Sequence, residues 1–479
     1  MDEKKTKGLG LFALIGLVVS SCIGSGIFAL TGQLAEAASP GGALLGWLVA
    51  GIGFLTLALS LVNLSKKKPE LTGIFQYATE GFGPLAGFVS GWGYWLSDWL
   101  GSVAFATMMC QTMGYFFPAL VSGNNLPCVI VSSIALWAIT FLVIRGVENA
   151  SFLNAIVMVA KIASISIFII FALFLFNFGT FTADFWGTLH NNAAAAAGAV
   201  ASTSSFGGIG QQINACMITM MWVFIGIEGA TVMSKRAEKK SDVGKATVIG
   251  LICLLVIYVG ASILPYGYMS YEEIAQLESP AMLYVFDSMA PGWGGAFISI
   301  AIIVSILGSW LSFTILPTET SSEMAHEKLL SGSWGKMNKH NAPQFSLIIV
   351  GACIQAMLII DMISADAYTF AFSFATVTIV FTWILCSAYQ MKYSAQTKEW
   401  GQFAIGLIAT LFLFFGTIIS GWTYILLACV GYIPGFFFYV KARKDHNKAI
   451  SKGEWIGMTV FAILAVVALV CMVMGIITI

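Results

Sequence analysis

Charge is scarce in this sequence. Of 479 residues, 10% are Asp, Glu, Lys or Arg and 58% are hydrophobic, with a mean hydropathy of +0.88. That balance excludes a soluble domain of this size and indicates a polytopic membrane protein with little soluble mass. Net charge is zero, so the overall balance identifies no partner beyond the lipid bilayer, and no nucleic acid is expected. The nine cysteines form no C-x-x-C pair, and most (Cys22, Cys110, Cys216, Cys253, Cys353, Cys386, Cys471) fall in apolar runs, where they act as small hydrophobes. Four scattered histidines (His190, His326, His340, His446) have no metal-ligand spacing. No metal and no cofactor is expected. No cleavable signal peptide is expected, because the first apolar run is too long and lacks a small-residue cleavage site.

What the chain has is long apolar runs. Thirteen are long enough to cross a hydrocarbon core of about 30 Å: 10–38, 41–64, 85–118, 128–144, 150–176, 213–233, 246–265, 293–325, 345–361, 367–391, 402–419, 422–440 and 456–477. Positive charge tests this reading. Lys4, Lys5 and Lys7 precede the first run; Lys66, Lys67 and Lys68 follow the second; Arg145 follows the fourth. Lys235, Arg236, Lys239, Lys240 and Lys245 follow the sixth; Lys328, Lys336 and Lys339 the eighth; Lys392 and Lys398 the tenth. Lys441, Arg443, Lys444, Lys448 and Lys452 follow the twelfth. The links after odd-numbered spans contain no Lys or Arg. The positive-inside rule makes the basic face cytoplasmic. The N-terminus is then inside and, with an odd number of spans, the C-terminus outside the cell membrane. The last span, behind its basic linker, is expected to be peripheral.

The first span is interrupted by Ser20-Ser21-Cys22-Ile23-Gly24-Ser25-Gly26-Ile27-Phe28. Two glycines flanking a serine weaken a continuous helix. Backbone freed at that depth must be buried in protein or line a polar cavity. Small residues also serve close helix–helix contacts in membranes. A second interruption, Trp222-Val223-Phe224-Ile225-Gly226-Ile227-Glu228-Gly229, favours the first reading, because paired broken spans mark a transporter's central site. Gly-x-Gly also suits a phosphate cradle, but the Lys-Ser/Thr that would follow in a P-loop is absent.

Three charges lie deep in the spans: Asp98, Lys161 and Glu228. Each costs at least about 2.5 kcal/mol at mid-bilayer, so such residues face a polar interior and serve function. The alternative is a Lys161–Asp98 or Lys161–Glu228 pair that only joins helices. A half-helix beginning near Gly26 presents free N–H groups to a carboxylate. One ending near Trp222–Ile225 presents carbonyls to an ammonium. Together they suit the two ends of an α-amino acid. Asp98 then suits a cationic side chain, with Trp222 and Trp310 able to stack on it; either tryptophan is also an ordinary packing residue.

These residues carry a resemblance. Ile23-Gly24-Ser25-Gly26-Ile27-Phe28, Gly73-Ile74-Phe75-Gln76-Tyr77-Ala78, Phe82-Gly83-Pro84-Leu85-Ala86-Gly87-Phe88, Tyr94-Trp95, the Trp222–Glu228 stretch and Gly308-Ser309-Trp310 resemble the amino acid–polyamine–organocation transporters. Within them the chain is most similar to the basic amino acid/polyamine antiporters. The resemblance implies an all-α, LeuT-like fold of two inverted five-helix repeats, about 10–176 and 213–391, with broken helices one and six. Helices at about 402–440 complete a core over 1–440, and 441–479 adds a basic linker and one more helix. The resemblance implies that Cys22, Ile23, Gly24, Ser25 and Gly26 hold the substrate with Trp222, Ile225 and Gly226. Ser25 and Gly26 would take its carboxylate, and the Cys22, Trp222 and Ile225 carbonyls its α-amino group. Ser97, Asp98, Ser102, Trp310 and Thr378 would surround the side chain. Trp222 would gate the outer side with Tyr94 and Glu228 further out, and Lys161 and Glu228 would take part in coupling. A gating tyrosine on span ten is displaced here: its place falls near Cys386, with Tyr389 one turn away. Lys161 matches a position where proton-coupled relatives carry a lysine in place of sodium.

The function so implied is exchange of a basic amino acid for its metabolic product, arginine for ornithine first, by a carrier able to form a homodimer. Lysine/cadaverine, histidine/histamine and agmatine/putrescine exchange, and proton-coupled uptake, stay open. A membrane enzyme would need a metal cluster or nucleophile–base pair that the sequence lacks, and a channel would need no paired cradles.

Overall fold

A computed structural model describes residues 10–71, 73–146, 148–197, 206–232, 237–363 and 366–477. Lys4, Lys5, Lys7, Lys235 and Arg236 lie outside the described residues. The described chain is helical. In order it forms α1 (Leu11–Cys22), α2 (Gly26–Ala37), α3 (Pro40–Lys67), α4 (Ile74–Phe82), α5 (Pro84–Met113), α6 (Leu126–Ile144) and α7 (Glu148–Phe174). Next come α8 (Phe178–Thr182), α9 (Thr188–Ala197), α10 (Ile209–Trp222), α11 (Gly229–Val232), α12 (Lys240–Ile263), α13 (Tyr271–Ala275) and α14 (Ala281–Met289). The last five are α15 (Gly294–His326), α16 (Gln344–Ile360), α17 (Ala367–Gln396), α18 (Trp400–Asp445) and α19 (Lys452–Val473).

Local chemistry sets these boundaries. Ser39 caps α3 by accepting from the Gly42 amide, with Pro40 at the first helical position. Gly83 adopts φ 93° ahead of Pro84, a left-handed turn open to glycine, so α4 and α5 stay separate helices. Ser451 and Glu454 form a reciprocal capping box that starts α19.

Among the described residues, ten helical segments are long and apolar enough to cross a membrane, and the α1–α2 pair, bent by 49°, makes an eleventh. Two of these, Trp400–Ile418 and Gly421–Asp445, lie within α18 on either side of a kink at Gly421. The expected spans 85–118 and 213–233 correspond to α5 and to α10–α11. Here Asp98, serines, glycines and the second break dilute the apolar run. The basic stretch expected as a linker from 441 is helical to Asp445.

Contacts between links group them as the charge alternation predicts. On one face, Lys67 pairs with Glu399 (2.6 Å) and Lys68 with Glu80 (3.2 Å), while Lys392 donates to the Gly81 carbonyl. Gln76 donates to Glu327, and Asn338 to the Ile144 carbonyl. On the other, the Gly41 amide donates to Phe185 O, Tyr271 to Asp184, and Asn124 to Asp361 O. Each of these contacts, among the described residues, joins links that the alternation puts on one face.

The core is built on α5, which packs against α4, α15 and α17. A Cβ on Gly93 would stand 2.6 Å from the Thr378 carbonyl oxygen, so α5 and α17 approach at backbone level, as small residues permit in membranes. α19 lies along α18, with Phe461 against Phe381, Tyr432 and Phe436.

Candidate substrate site

Both sequence interruptions are breaks, and they lie side by side. α1 stops at Cys22, the Gly24 amide turns back to Cys22 O (2.9 Å), and α2 restarts at Gly26. α10 stops at Trp222; the chain then runs through single turns, and Gly226 adopts φ 103°. A side chain at Gly226 would also stand 2.9 Å from the Ser21 carbonyl carbon, so glycine is required for conformation and for space.

Two polar side chains, Ser21 and Tyr258, join the breaks, and two more, Lys161 and Ser309, hold the α1 break alone. Ser21 Oγ donates to Gly226 O (2.8 Å). Tyr258 of α12 places its hydroxyl 3.0 Å from Cys22 O and 2.7 Å from Val223 O. Lys161 of α7 donates to Ser20 O (3.0 Å), Ile23 O (2.8 Å) and Ser309 Oγ (2.9 Å), and Ser309 donates to Ile23 O. Carbonyls at a helix C-terminus have no intrahelical donor, and an ammonium with three N–H groups is well matched to them. Lys161 therefore caps α1. It makes no ion pair with Asp98 or Glu228 among the described residues, so the expected alternative of a helix-joining pair is not what forms.

Ser21, Cys22, Gly24, Gly26, Trp222, Val223 and Ile225 surround a cavity of about 10 Å³ together with Phe105 and Phe313. That is the lower limit for a single water, so the site is closed. Phe105 and Phe313 meet edge-on at 4.9 Å. Added Cβ atoms would strike Phe105 from Gly24 at 2.7 Å, and Trp222 and Val223 from Gly26 at 2.8 Å. The first turn of α2 therefore offers its amides at the floor of a cradle that only hydrogen-bearing glycines leave open. Of the expected ammonium acceptors, Cys22 O already takes both the Gly24 amide and Tyr258, while Trp222 O takes the Ile225 amide and keeps a second lone pair.

The expected side-chain residues are buried nearby but do not border this cavity. Ser97 and Asp98 lie one turn from Gly101, whose Cβ would meet Phe313 and Trp222. Ser97 Oγ, Asp98 Oδ2, Trp222 Nε1 and Trp310 Nε1 are buried without a hydrogen-bond partner. Such groups cost about 1–3 kcal/mol each when unpaired, which suits a site that a polar ligand completes. Ser102 and Thr378 instead turn their hydroxyls to carbonyls of their own helices.

The gate residues need correction. Trp222 packs against Phe105 and Phe372 (6.2 and 5.9 Å). Glu228 lies beyond it on the chain and accepts from the Trp383 indole (3.1 Å) and the Gly226 amide. Trp383 is eleven residues past Phe372 on α17, and Tyr94 eleven before Phe105 on α5, each about 16 Å of helix. Tyr94 and Glu228 thus lie toward α4, on the face carrying Lys68 and Lys392, rather than further out than Trp222. The direction of α10 dictates this: it enters from the uncharged face. Cys386 and Tyr389 are not at an outer gate either. Cys386 Sγ donates to Ile74 O, and Tyr389 stacks on Tyr77 of α4 (6.4 Å).

Sequence reasoning missed Phe105, Tyr258, Phe313, Tyr368 and Trp383. Tyr368 donates to Ser25 Oγ (3.3 Å). An aromatic within an apolar span carries no local sign of the bond its tip will make. A polar-tipped ring several residues from a break was the only available signal.

The amino acid permease family model matches residues 9–461. An arginine/ornithine antiporter of Latilactobacillus sakei is 48% identical over 480 residues, covering 99% of each chain. An arginine/ornithine antiporter of Pseudomonas aeruginosa is 35% identical, covering 98% of each chain. An arginine/agmatine antiporter of Chlamydia abortus is 34% identical, covering 98% of this chain and 97% of its own. With broken helices opposed around a closed polar site and a match along nearly its whole length, the chain belongs to the amino acid permease family.

Proposed function

We propose that this protein exchanges arginine for ornithine across the cell membrane. The observation that carries the reading is the pair of opposed breaks: α2 begins with free amides at Gly26, and α10 ends in carbonyls at Trp222–Ile225, on two sides of one closed cavity. One end suits an α-carboxylate and the other an α-ammonium. The 48% identical arginine/ornithine antiporter supports the choice of substrates, and buried Asp98 supplies a carboxylate for a guanidinium or ammonium side chain.

In this reading the two inverted repeats, about 10–176 and 213–391, rock around the site to give alternating access. Ser25 and Gly26 hold the carboxylate; Cys22, Ile23, Gly24, Ile225 and Gly226 form the unwound cradle. Ser97, Asp98, Ser102, Trp310 and Thr378 receive the side chain once Trp222, Phe105 and Phe313 move apart. Tyr94, Glu228 and Trp383 close the α4 side, which the charge alternation makes cytoplasmic, with the N-terminus inside and the C-terminus outside. Lys161 holds α1 in shape, and with Glu228 is the group available to couple protons. The core spans 1–440, with α19 added to it, and two copies are suited to associate.

The test is uptake of labelled arginine into proteoliposomes loaded with ornithine, with empty, lysine-, histidine- and agmatine-loaded vesicles beside them. Uptake that requires internal ornithine or arginine supports the exchanger. Equal uptake into empty vesicles under an imposed proton gradient would replace it with a proton-coupled permease.

A further inference from the structure

We propose that the turn joining α18 to α19 is a binding site for the phosphate group of an anionic membrane lipid. Five basic residues, Lys441, Arg443, Lys444, Lys448 and Lys452, fall within twelve positions, with Asp445 the one acid among them. The four lysines are exposed, and none lies within 4.0 Å of a carboxylate among the described residues.

The turn is built rather than loose. Lys448 N donates to Arg443 O (2.8 Å), Asn447 N to Lys444 O (3.0 Å), and Arg443 Nη2 to Ala449 O (2.8 Å). This holds the guanidinium 5.9 Å over the Tyr439 ring. Tyr439 in turn bonds Glu454, which the α19 capping box already holds. That carboxylate interacts with the Arg443 charge and lies within 4.0 Å of none of the four lysines. Two nitrogens remain over: Arg443 Nε and His446 Nε2 are buried and without partners. These buried nitrogens keep the Arg443 charge fixed beneath the turn, and the four exposed lysines present the donors and the field that a phosphate meets.

Depth selects a lipid as the source. Trp455 stands 51% exposed one residue past Glu454, and Trp400, at the other end of α18's first span, is 65% exposed. Exposed tryptophans settle at headgroup level. Gly457 faces Leu85 at the start of α5, which puts this turn on the same face as α4 and the other basic links. Clustered lysines beside a span end at that level attract anionic headgroups, each worth about fivefold in affinity.

The experiment titrates the full-length protein, stripped of lipid in neutral detergent, with phosphatidylglycerol or phosphatidylcholine and counts bound lipid by native mass spectrometry. Phosphatidylglycerol should be retained over phosphatidylcholine by about tenfold, and the preference should fall as salt rises. Arg443→Gln with Lys444→Gln, Lys448→Gln and Lys452→Gln should remove it. Neutralising Lys328, Lys336 and Lys339, on another basic link, should leave it. Lys448→Gln alone and the wild-type salt series read the same point should the fourfold variant not fold. Equal retention of the two lipids, no effect of salt, or loss only in the control variant would overturn the proposal. Displacement by millimolar inorganic phosphate would reassign the site to a free anion and overturn its lipid source.

Discussion

Lys161 Nζ sits 2.8 Å from the carbonyl oxygen of Ile23 and 3.0 Å from that of Ser20, so the residue in mid-membrane most expensive to bury is spent on the end of a broken helix. Removing it strips donors from two carbonyls and from Ser309. Lys161→Ala is expected to lower thermal stability in detergent by about 1–3 kcal/mol and to abolish exchange, rather than to remove pH dependence alone. An unchanged melting temperature with normal exchange would show that the cap is dispensable.

Gly26 faces the Trp222 indole where a Cβ would be 2.8 Å away. Gly26→Ala is expected to raise the KM for arginine by at least about tenfold, the scale of one lost charge-assisted hydrogen bond, while leaving assembly in the membrane intact. Steady-state exchange kinetics on the purified variant decide it.

Asp98 Oδ2 is buried and unpartnered. Asp98→Asn keeps the volume and removes the charge. Affinity for arginine and ornithine should fall by more than about 1 kcal/mol, with a neutral analogue of similar length weakened less. Equal affinity for every cation in a binding titration would remove Asp98 from side-chain recognition.

The Trp383 indole donates to Glu228 Oε2 at 3.1 Å. Trp383→Phe keeps a ring but leaves the carboxylate one donor short, weakening closure on the α4 side by about 1–3 kcal/mol. The expected reading is faster thiol labelling of a cysteine placed at Tyr94, tested from the side that carries Lys68. No change in labelling would assign the bond to packing.

Asp184 ties the 177–212 link to α13. Burial by itself would raise its carboxyl, but the Tyr271 hydroxyl and the amides of His190, Leu189 and Thr188 outweigh it, so the group is held below the usual carboxylate range. The folded form is then the stronger acid. Its contribution is present above the ordinary carboxylate value of about 3.9 and fades as pH falls through the lower folded value. Asp184→Asn should therefore be less stable than wild type at pH 7, and the gap should narrow below about pH 4, as followed by thermal unfolding across pH.

Much of this was legible because the bilayer leaves few choices. Lysine placement said which links share a face, and the Lys67–Glu399 and Asp184–Tyr271 pairs join links it put together. Gly24, Gly26 and Gly226 marked the breaks, because glycine in mid-span has to be there for a reason of backbone or space. Less legible was depth along opposed helices. Glu228 was expected outside Trp222 although α10 runs the other way, and the α17 aromatic facing it is Trp383, about one turn before Cys386, rather than Tyr389 one turn after it. Register across a helix pair depends on how two cylinders rotate against each other, and a single strand of text carries no such angle.

The near-contact of α5 and α17 at Gly93 and Thr378 divides the molecule by what each joint can tolerate. Two backbones this close, with the Tyr432 hydroxyl wedged beside them, cannot slide without leaving a void or a clash. The α1–α10 joint is made of separate polar bonds, from Ser21 and Tyr258, each replaceable by water or by a ligand's own donors. The first pair is a chassis and the second a latch. A carrier so built spends its rigidity where nothing enters and keeps its exchangeable bonds where the cargo sits.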